Sequence, residues 1–298
     1  MGVSDTCGTE AVRRPGDHLP LRRVAIDFDG VPFDWHPSRP GLARAANAVS
    51  WAAVTFERRL CAAFREALPR VDDPYLGAEV EDFIAQEATH SRVHRAHIRA
   101  LEASYPGLSG LDAELDALAE VHLSDMALMD RLALGATVEG ALAPLGRYLV
   151  AERARVFAGA DVRVAALFLW HFCEEIEHRS TALKLYRALG GSWARRMRAT
   201  RALRRLQSDG TRLVGRRFAD CIPAGQGGLP ELPVGWPLAR LGVQLADSLR
   251  PGHDTGGRAM PDWAQAYLSR IRLGTGPVEA WAGESAGGDT RSRTLVPS

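Results

Sequence analysis

Two Glu-x-x-His pairs, with one further glutamate 30 residues before the first pair and another 36 residues before the second, constrain the fold of this chain more than any other feature. The six residues, in sequence order, are Glu57, Glu87, His90, Glu139, Glu175 and His178. On an α-helix, side chains three positions apart lie on one face, so both members of a pair can reach one metal ion. The order is typical of a four-helix bundle in which two helices each supply one glutamate and two each supply a pair. We therefore predict these six residues as metal ligands.

Helical periodicity and the near absence of strand patterns extend this prediction to the whole chain. The predicted helices lie at about 41–68, 75–103, 112–132, 134–157 and 161–189, followed by a basic helix at about 191–208. The interval between His90 and Glu139 would hold a long crossover, which the helix at 112–132 could fill. The expected fold is all-α: a ferritin-like four-helix bundle with a long crossover and additional C-terminal helices.

Prolines and glycines indicate how the chain is divided. Helices do not tolerate prolines at the density found in the first forty residues. Asp73 before Pro74 predicts a helix start, with aspartate as the cap. The predicted segments are an irregular N-terminal segment at 1–40, a ferritin-like di-metal bundle at 41–190, a C-terminal helical extension at 191–274 and a disordered tail at 275–298.

Further polar residues share the helix faces of the two pairs. His94 lies on the face of Glu87 and His90, and His171 lies on the face of Glu175. We predict that His171, His94 and Glu174 are additional ligands or hydrogen-bond partners of ligands. The apolar run 164–170 places its helix in the core, where unpaired carboxylates are costly and a metal ion would neutralise them. The alternative is a bundle whose glutamates and histidines lie on an arginine-rich surface.

Glu139 has its own alternative. Gly140 and Pro144 follow it, so it could lie at a frayed helix start, with Glu152 or no residue completing the site. We favour Glu139, because it has the expected separation from Glu175. The small residues Gly140 and Ala141 would then widen a substrate channel.

At these residues, positions 24–190 resemble a bacterial ferritin-like family labelled "predicted metal-dependent hydrolase". The resemblance lies in FIAQEATHSRVHR at 83–95 and in WHFCEEIEHR at 170–179. It implies that Glu87, His90, Glu175 and His178 are metal ligands. Family members usually carry F-P-x-G-E before the first ligand and E-H-F-T on the third bundle helix. Here only the glutamates remain, in AVTFE at 53–57 and EGAL at 139–142, which suggests a divergent substrate.

Composition limits the partners. The net charge of +1 gives no global attraction to nucleic acid, and the longest apolar run, 164–170, is far too short to cross a membrane. No apolar signal segment precedes residue 18, and the four cysteines are scattered, which favours reduced thiols in the cytoplasm. The arginines of 195–217 are interpreted as a solvated face or as a contact with the bundle's acidic side, so neither nucleic acid nor membrane is expected.

Carboxylates with two histidines suit iron or manganese. The leading hypothesis is a non-haem enzyme with two iron ions, or with Fe/Mn or manganese alone, that activates O₂ to oxidise a small organic substrate. Phe56, Phe83 and Trp170 would line its apolar pocket. The sequence has no flavin, NAD or P-loop motif, so a separate electron-donor protein or the substrate would supply electrons; a homodimer is compatible with the chain. The alternatives are a metal-dependent hydrolase with the same ligands and a non-enzymatic metal-binding bundle.

Overall fold

The computed structural model describes residues 19–223, 236–253 and 258–273, and every regular element in these ranges is helical. This confirms the all-α prediction. The helices are α1 (Pro40–Ala67), α2 (Pro74–Ser104), α3 (Leu111–Leu123), α4 (Leu128–Ala151), α5 (Arg153–Val156), α6 (Val162–Glu177), α7 (Thr181–Ala188), α8 (Trp193–Cys221), α9 (Trp236–Ser248) and α10 (Asp262–Leu273). Short 3₁₀ turns lie at Leu68–Arg70 and Pro106–Leu108.

Four helices surround the centre of the molecule. α1 packs along α2 and α4 packs along α6, with further contacts between α1 and α4 and between α2 and α6. α3 lies in the crossover between the two pairs and packs against α1 and α8. A Cβ atom at Gly135 would overlap the side chain of Leu60, so glycine allows α1 and α4 to approach closely. The helices are placed as the predicted bundle requires, and the ferritin-like assignment itself stays a prediction.

Helix starts follow local signals more closely than helix ends do. The Asp73 carboxylate accepts hydrogen bonds from the backbone N–H groups of Tyr75 and Leu76, which confirms it as the cap of α2. The predicted helix at 112–132 is wrong, because the chain turns at 124–125 and α4 begins at Leu128. The predicted helix at 134–157 is wrong for the same reason, and α4 ends at Ala151.

The predicted helix at 161–189 is also wrong, because it is two helices. α6 ends at Glu177, and α7 begins at Thr181 after a turn through His178, Arg179 and Ser180. Apolar residues continue at helical spacing on both sides of this turn, so periodicity does not reveal it. The basic helix is longer than predicted, since α8 continues to Cys221.

The N-terminal segment has no helix or strand over residues 19–39, yet it belongs to the core. Val24, Phe28, Phe33 and Trp35 are all buried against the helices. Arg22 is 7% exposed, which is rare for an arginine without a buried partner. The segment therefore covers the helices as a packed arm, which we call the N-terminal arm (residues 19–39).

Other predictions about segments lie partly outside the described residues. These are the first part of the segment at 1–40, the linker part of the extension at 191–274 and the tail at 275–298. Among the described helices, none combines the length and the apolar character needed to cross a membrane.

Some arginines of the arginine-rich helix α8 form ion pairs with acidic residues of the bundle. Arg195 pairs with Asp130 at 3.0 Å, and Arg217 pairs with Glu114 at 2.7 Å. These ion pairs fit the interpretation that α8 contacts acidic residues of the bundle.

Candidate metal centre

Two predicted pairs converge between α2 and α6. Glu87, His90, Glu175 and His178 are buried, and one possible ligand atom of each lies within 4.8 Å of the others. The Nε2 atom of His178 lies 3.1 Å from Glu87 Oε1 and 3.6 Å from Glu175 Oε1. His90 Nδ1 lies 3.6 Å from Glu87 Oε2 and 3.7 Å from Glu175 Oε1. Atoms bound at 2.0–2.2 Å to one metal ion lie about 3–3.6 Å apart, so these distances fit a shared ion.

Glu175 and His178 lie on the same face although α6 ends between them. His178 follows the last residue of the helix, but its backbone N–H donates to the carbonyl of Glu174, as in a helical turn. The three-residue spacing from Glu175 to His178 is therefore kept on one face although the helix stops there.

The two single glutamates lie beside this group. Glu57 of α1 is 3% exposed and accepts a hydrogen bond from Ser91 at 2.8 Å. Glu139 of α4 is also 3% exposed, and its Oε2 atom lies 3.7 Å from His178 Nδ1. The structure thus brings all six predicted ligands into one buried cluster. Glu152, the alternative to Glu139, follows the last residue of α4 and pairs with Arg155.

Two of the predicted additional residues lie in the same cluster. Glu57, His94 and His171 form a second buried group whose ligand atoms lie within 4.8 Å of one another. His171 joins the two groups, because its Nε2 atom lies 2.9 Å from Glu175 Oε1 and 3.6 Å from Glu57 Oε1.

Glu174 lies behind His90. Its Oε2 atom is 2.9 Å from His90 Nε2, while the other ring nitrogen of His90 faces the four-residue group. Arg22 of the N-terminal arm donates to Glu174 Oε1 at 2.8 Å and also binds Glu177, which points away from the cluster. Of the two predicted roles for Glu174, this geometry favours a hydrogen-bond partner that orients a ligand histidine.

Several buried atoms of the cluster have no hydrogen-bond partner among the described residues. They are Glu87 Oε1, His90 Nδ1, Glu139 Oε2, Glu175 Oε2 and both ring nitrogens of His178. Leaving buried polar atoms unpaired is costly, and such atoms are rare in folded proteins. Carboxylate oxygens and imidazole nitrogens that converge in this way fit a divalent transition metal.

The electrostatics of the metal-free cluster agree with this fit. Burial and the neighbouring Glu87 raise the pKa of Glu57 to about 8. Burial and nearby carboxylates also raise the pKa of Glu139 and Glu175 well above the ordinary value. Burial opposes ionisation of Glu174 as well, but His90 and Arg22 lower its pKa overall. In the metal-free cluster, Glu57, Glu139 and Glu175 are therefore disfavoured as anions. Burial also opposes ionisation of Glu87, but His90 and His178 lower its pKa to about 2.

Aromatic rings close the cluster on two sides. Phe83 meets the His178 ring edge-on at 4.6 Å between centroids, and Trp170 meets the His90 ring at 4.9 Å. Phe56, the third predicted lining residue, is half-buried in the adjacent apolar core. A cavity of about 30 Å³ lies beside Gly140, but no residue of the cluster lines it, so the channel at this position stays a prediction.

Three buried histidines are held neutral. Burial lowers the pKa of His97 to about 3 and lowers the pKa of His94 and His171 well below the ordinary value. An unfolded histidine titrates near pH 6.5, so between about pH 6.5 and 3 the unfolded chain binds a proton that folded His97 does not. Keeping His97 neutral costs the folded protein nothing above pH 6.5. As the pH falls below that value, it lowers the free energy of unfolding progressively.

We therefore expect metal-free wild-type protein to lose up to about 1.4 kcal/mol per pH unit below pH 6.5, relative to a His97→Gln variant. Urea unfolding of both proteins at pH 7, 6 and 5 measures the difference. The comparison with the variant is needed because the raised carboxylate pKa values act in the opposite direction. If the free energies of unfolding of the two proteins changed with pH in parallel, His97 would not be neutral in the folded protein.

Some residues of the site carry no sequence signal. Arg22 stands in a segment without periodicity, and Ser50, which bonds two histidines, is one of many small residues of α1. Ser91 directly follows His90 in the run at 83–95, so its proximity to a ligand could have been noticed.

A known protein family matches a range of the chain that contains all residues of the cluster. Positions 20–206 match a protein family described as "Predicted metal-dependent hydrolase". No curated protein and no solved structure matches the chain.

Proposed function

The chain belongs to the family of predicted metal-dependent hydrolases, and from this premise we propose that it hydrolyses a small organic substrate at a two-metal centre. The buried, unpartnered oxygen and nitrogen atoms of the cluster are the observation that carries the proposal. The ligands would be Glu57, Glu87, His90, Glu139, Glu175 and His178.

Charge supports two metal ions. The cluster contains four carboxylates, and the described cation next to it, Arg22, already pairs with Glu174 and Glu177. Four ionised carboxylates with neutral histidines carry a charge of −4, which two divalent ions would balance. Buried charge is tolerated only when it is compensated in this way.

The residues of the site would have different roles. Glu87 and Glu175 each lie 3.1–3.7 Å from ring nitrogens of both His90 and His178, so these four side chains would hold the metal ions together. Bound metal ions would supply Lewis acidity that lowers the pKa of water and polarises the bond to be cleaved. Phe83 and Trp170 exclude bulk water from the histidine side, which strengthens the electrostatic interactions inside.

The same ligands also suit the iron-dependent oxidation that the sequence predicts as the leading function. The family match supports the hydrolytic alternative and gives no support to O₂ activation. Hydrolysis is therefore the function we propose, and oxidation is an outcome of its test.

The test uses metal-free protein loaded separately with Zn²⁺, Mn²⁺ or Fe²⁺. We expect metal-dependent cleavage within a panel of chromogenic esters, lactones, amides and phosphoesters, and loss of cleavage in Glu87→Ala/Glu175→Ala. An oxygen electrode follows the reduced Fe²⁺ form. Oxygen uptake with no cleavage would instead indicate an oxidase, and inactivity in both assays would indicate a non-enzymatic metal protein.

The role of Glu139 has a separate test. We expect Glu139→Ala to lose one metal ion per chain or most activity, because its carboxylate lies beside His178. Glu152→Ala should stay near wild type, since Glu152 pairs with Arg155 at the end of α4. Metal analysis of both variants compares them directly, and the opposite ranking would transfer the ligand role to Glu152.

A further inference from the structure

A chain of hydrogen bonds leads away from the metal centre across three helices. His171 of α6 lies 2.6 Å from His94 of α2, measured from Nδ1 to Nε2. His94 Nδ1 lies 3.0 Å from Ser50 Oγ of α1, and Ser50 Oγ lies 3.0 Å from His97 Nδ1. Ser50, His94 and His97 are each 0% exposed. At the far end, His97 Nε2 has no partner among the described residues.

The shortest contact shows that His94 is not a ligand of the same ion as His171. Two nitrogens bound to one metal ion at about 2.0–2.1 Å lie about 3 Å or more apart. The separation of 2.6 Å between His171 and His94 is a hydrogen bond instead. His94 therefore supports His171 from behind.

When Ser50 uses its one O–H within the chain, the chain can be polarised in only two ways, because each neutral imidazole has one N–H group. In the first, His171 Nε2–H donates to Glu175, His94 Nε2–H donates to His171, and Ser50 donates to His94. In the second, His171 Nδ1–H donates to His94, His94 Nδ1–H donates to Ser50, and Ser50 donates to His97 Nδ1. Only the second leaves the Nε2 lone pair of His171 free for a metal ion.

We propose that His171 is a metal ligand through Nε2 and that His94, Ser50 and His97 are positioning residues that fix its tautomer. The inference rests on the metal centre of the proposed function. His171 Nε2 lies 3.6 Å from Glu57 Oε1, a separation between ligands of one ion, and it is hydrogen-bonded to Glu175 Oε1 at 2.9 Å.

Two further observations favour this polarity. His90 shows the same arrangement, with one ring nitrogen facing the centre and the other bonded to Glu174 behind it. Ligand histidines are generally held in this way through the second nitrogen. At the far end, the ring of Phe28 packs 5.1 Å from that of His97, and an aromatic ring is a weak acceptor for an N–H group.

The decisive experiment determines the tautomers in full-length protein loaded with Zn²⁺, by long-range ¹H–¹⁵N NMR of labelled histidines. We expect the proton on Nδ1 of His171 and His94 and on Nε2 of His97. The reverse set would overturn the proposal, because it places the proton of His171 where a metal ion would bind. A protein that takes up no Zn²⁺, Mn²⁺ or Fe²⁺ would overturn the metal centre together with this inference.

Variants of Ser50 test the positioning role by calorimetric Zn²⁺ titration. Ser50→Ala removes little volume but breaks the chain, and we expect metal affinity to fall about 10–100-fold. Ser50→Thr keeps the hydroxyl and should restore it. Ser38→Ala is the matched control, because Ser38 bonds His36 at 3.3 Å outside the centre. Wild-type affinity in Ser50→Ala would refute the positioning role, whereas absence of hydrolysis with the expected tautomers would refute only the hydrolase proposal.

Discussion

Replacing both Glu87 and Glu175 by alanine should abolish metal binding while the protein remains folded. These two carboxylates lie within 3.1–3.7 Å of the inward ring nitrogens of His90 and His178, so removing them leaves each ion with too few ligands. The helices should persist, because packing against neighbours supplies most helix stability. Metal analysis by mass spectrometry and circular dichroism measure the two effects.

A matched variant controls for the loss of two glutamates. Glu66→Ala/Glu120→Ala removes two helical glutamates whose side chains are 46% and 63% exposed. It should keep about two metal ions per chain. Full metal content in the Glu87→Ala/Glu175→Ala variant would show that the ligand assignment is wrong.

The second large effect concerns stability. Arg22→Ala should lower the free energy of unfolding by about 3–5 kcal/mol, because it leaves buried Glu174 without its cation. It should also weaken metal binding, since Glu174 orients His90. Urea denaturation and Zn²⁺ titration measure these losses.

Arg212→Ala is the comparison for this effect. Arg212 pairs with Asp209, but its side chain is 69% exposed, and exposed ion pairs contribute about 0–1 kcal/mol. Equal losses of stability in the two variants would mean that the buried pair of Arg22 and Glu174 contributes no more than a surface contact.

Residue spacing predicts the core of the site because the ligands of a pair are local. Glu87 and His90 share a helical turn, so a helix assignment is enough to place them on one face. The positions of Glu57 and Glu139 also follow from the bundle order, and the structure brings both into the cluster. The helix class of the described residues was predictable from periodicity for the same reason.

Other features depend on contacts between distant segments. Gly135 lies inside α4 because Leu60 approaches it, and nothing in its neighbouring sequence indicates that contact. The turn after His178 interrupts an apolar pattern that continues through it. Arg22 and Ser50 have their roles only because α1 and the N-terminal arm lie against α2 and α6.

The contacts of Arg22 also bear on the order in which the site is assembled during folding. Its Nε atom donates to the carbonyl of Leu268 in α10, 246 positions away, while its Nη1 atom donates to Glu174. Pairs of neighbouring helices form from local contacts, whereas closing such a long interval requires most of the chain to be in place. The ligand helices can therefore meet early, but His90 receives its full support only when both ends of the described chain have docked. We thus expect the proposed metal centre to reach its full metal affinity late in folding, although its candidate ligands lie in the middle of the sequence.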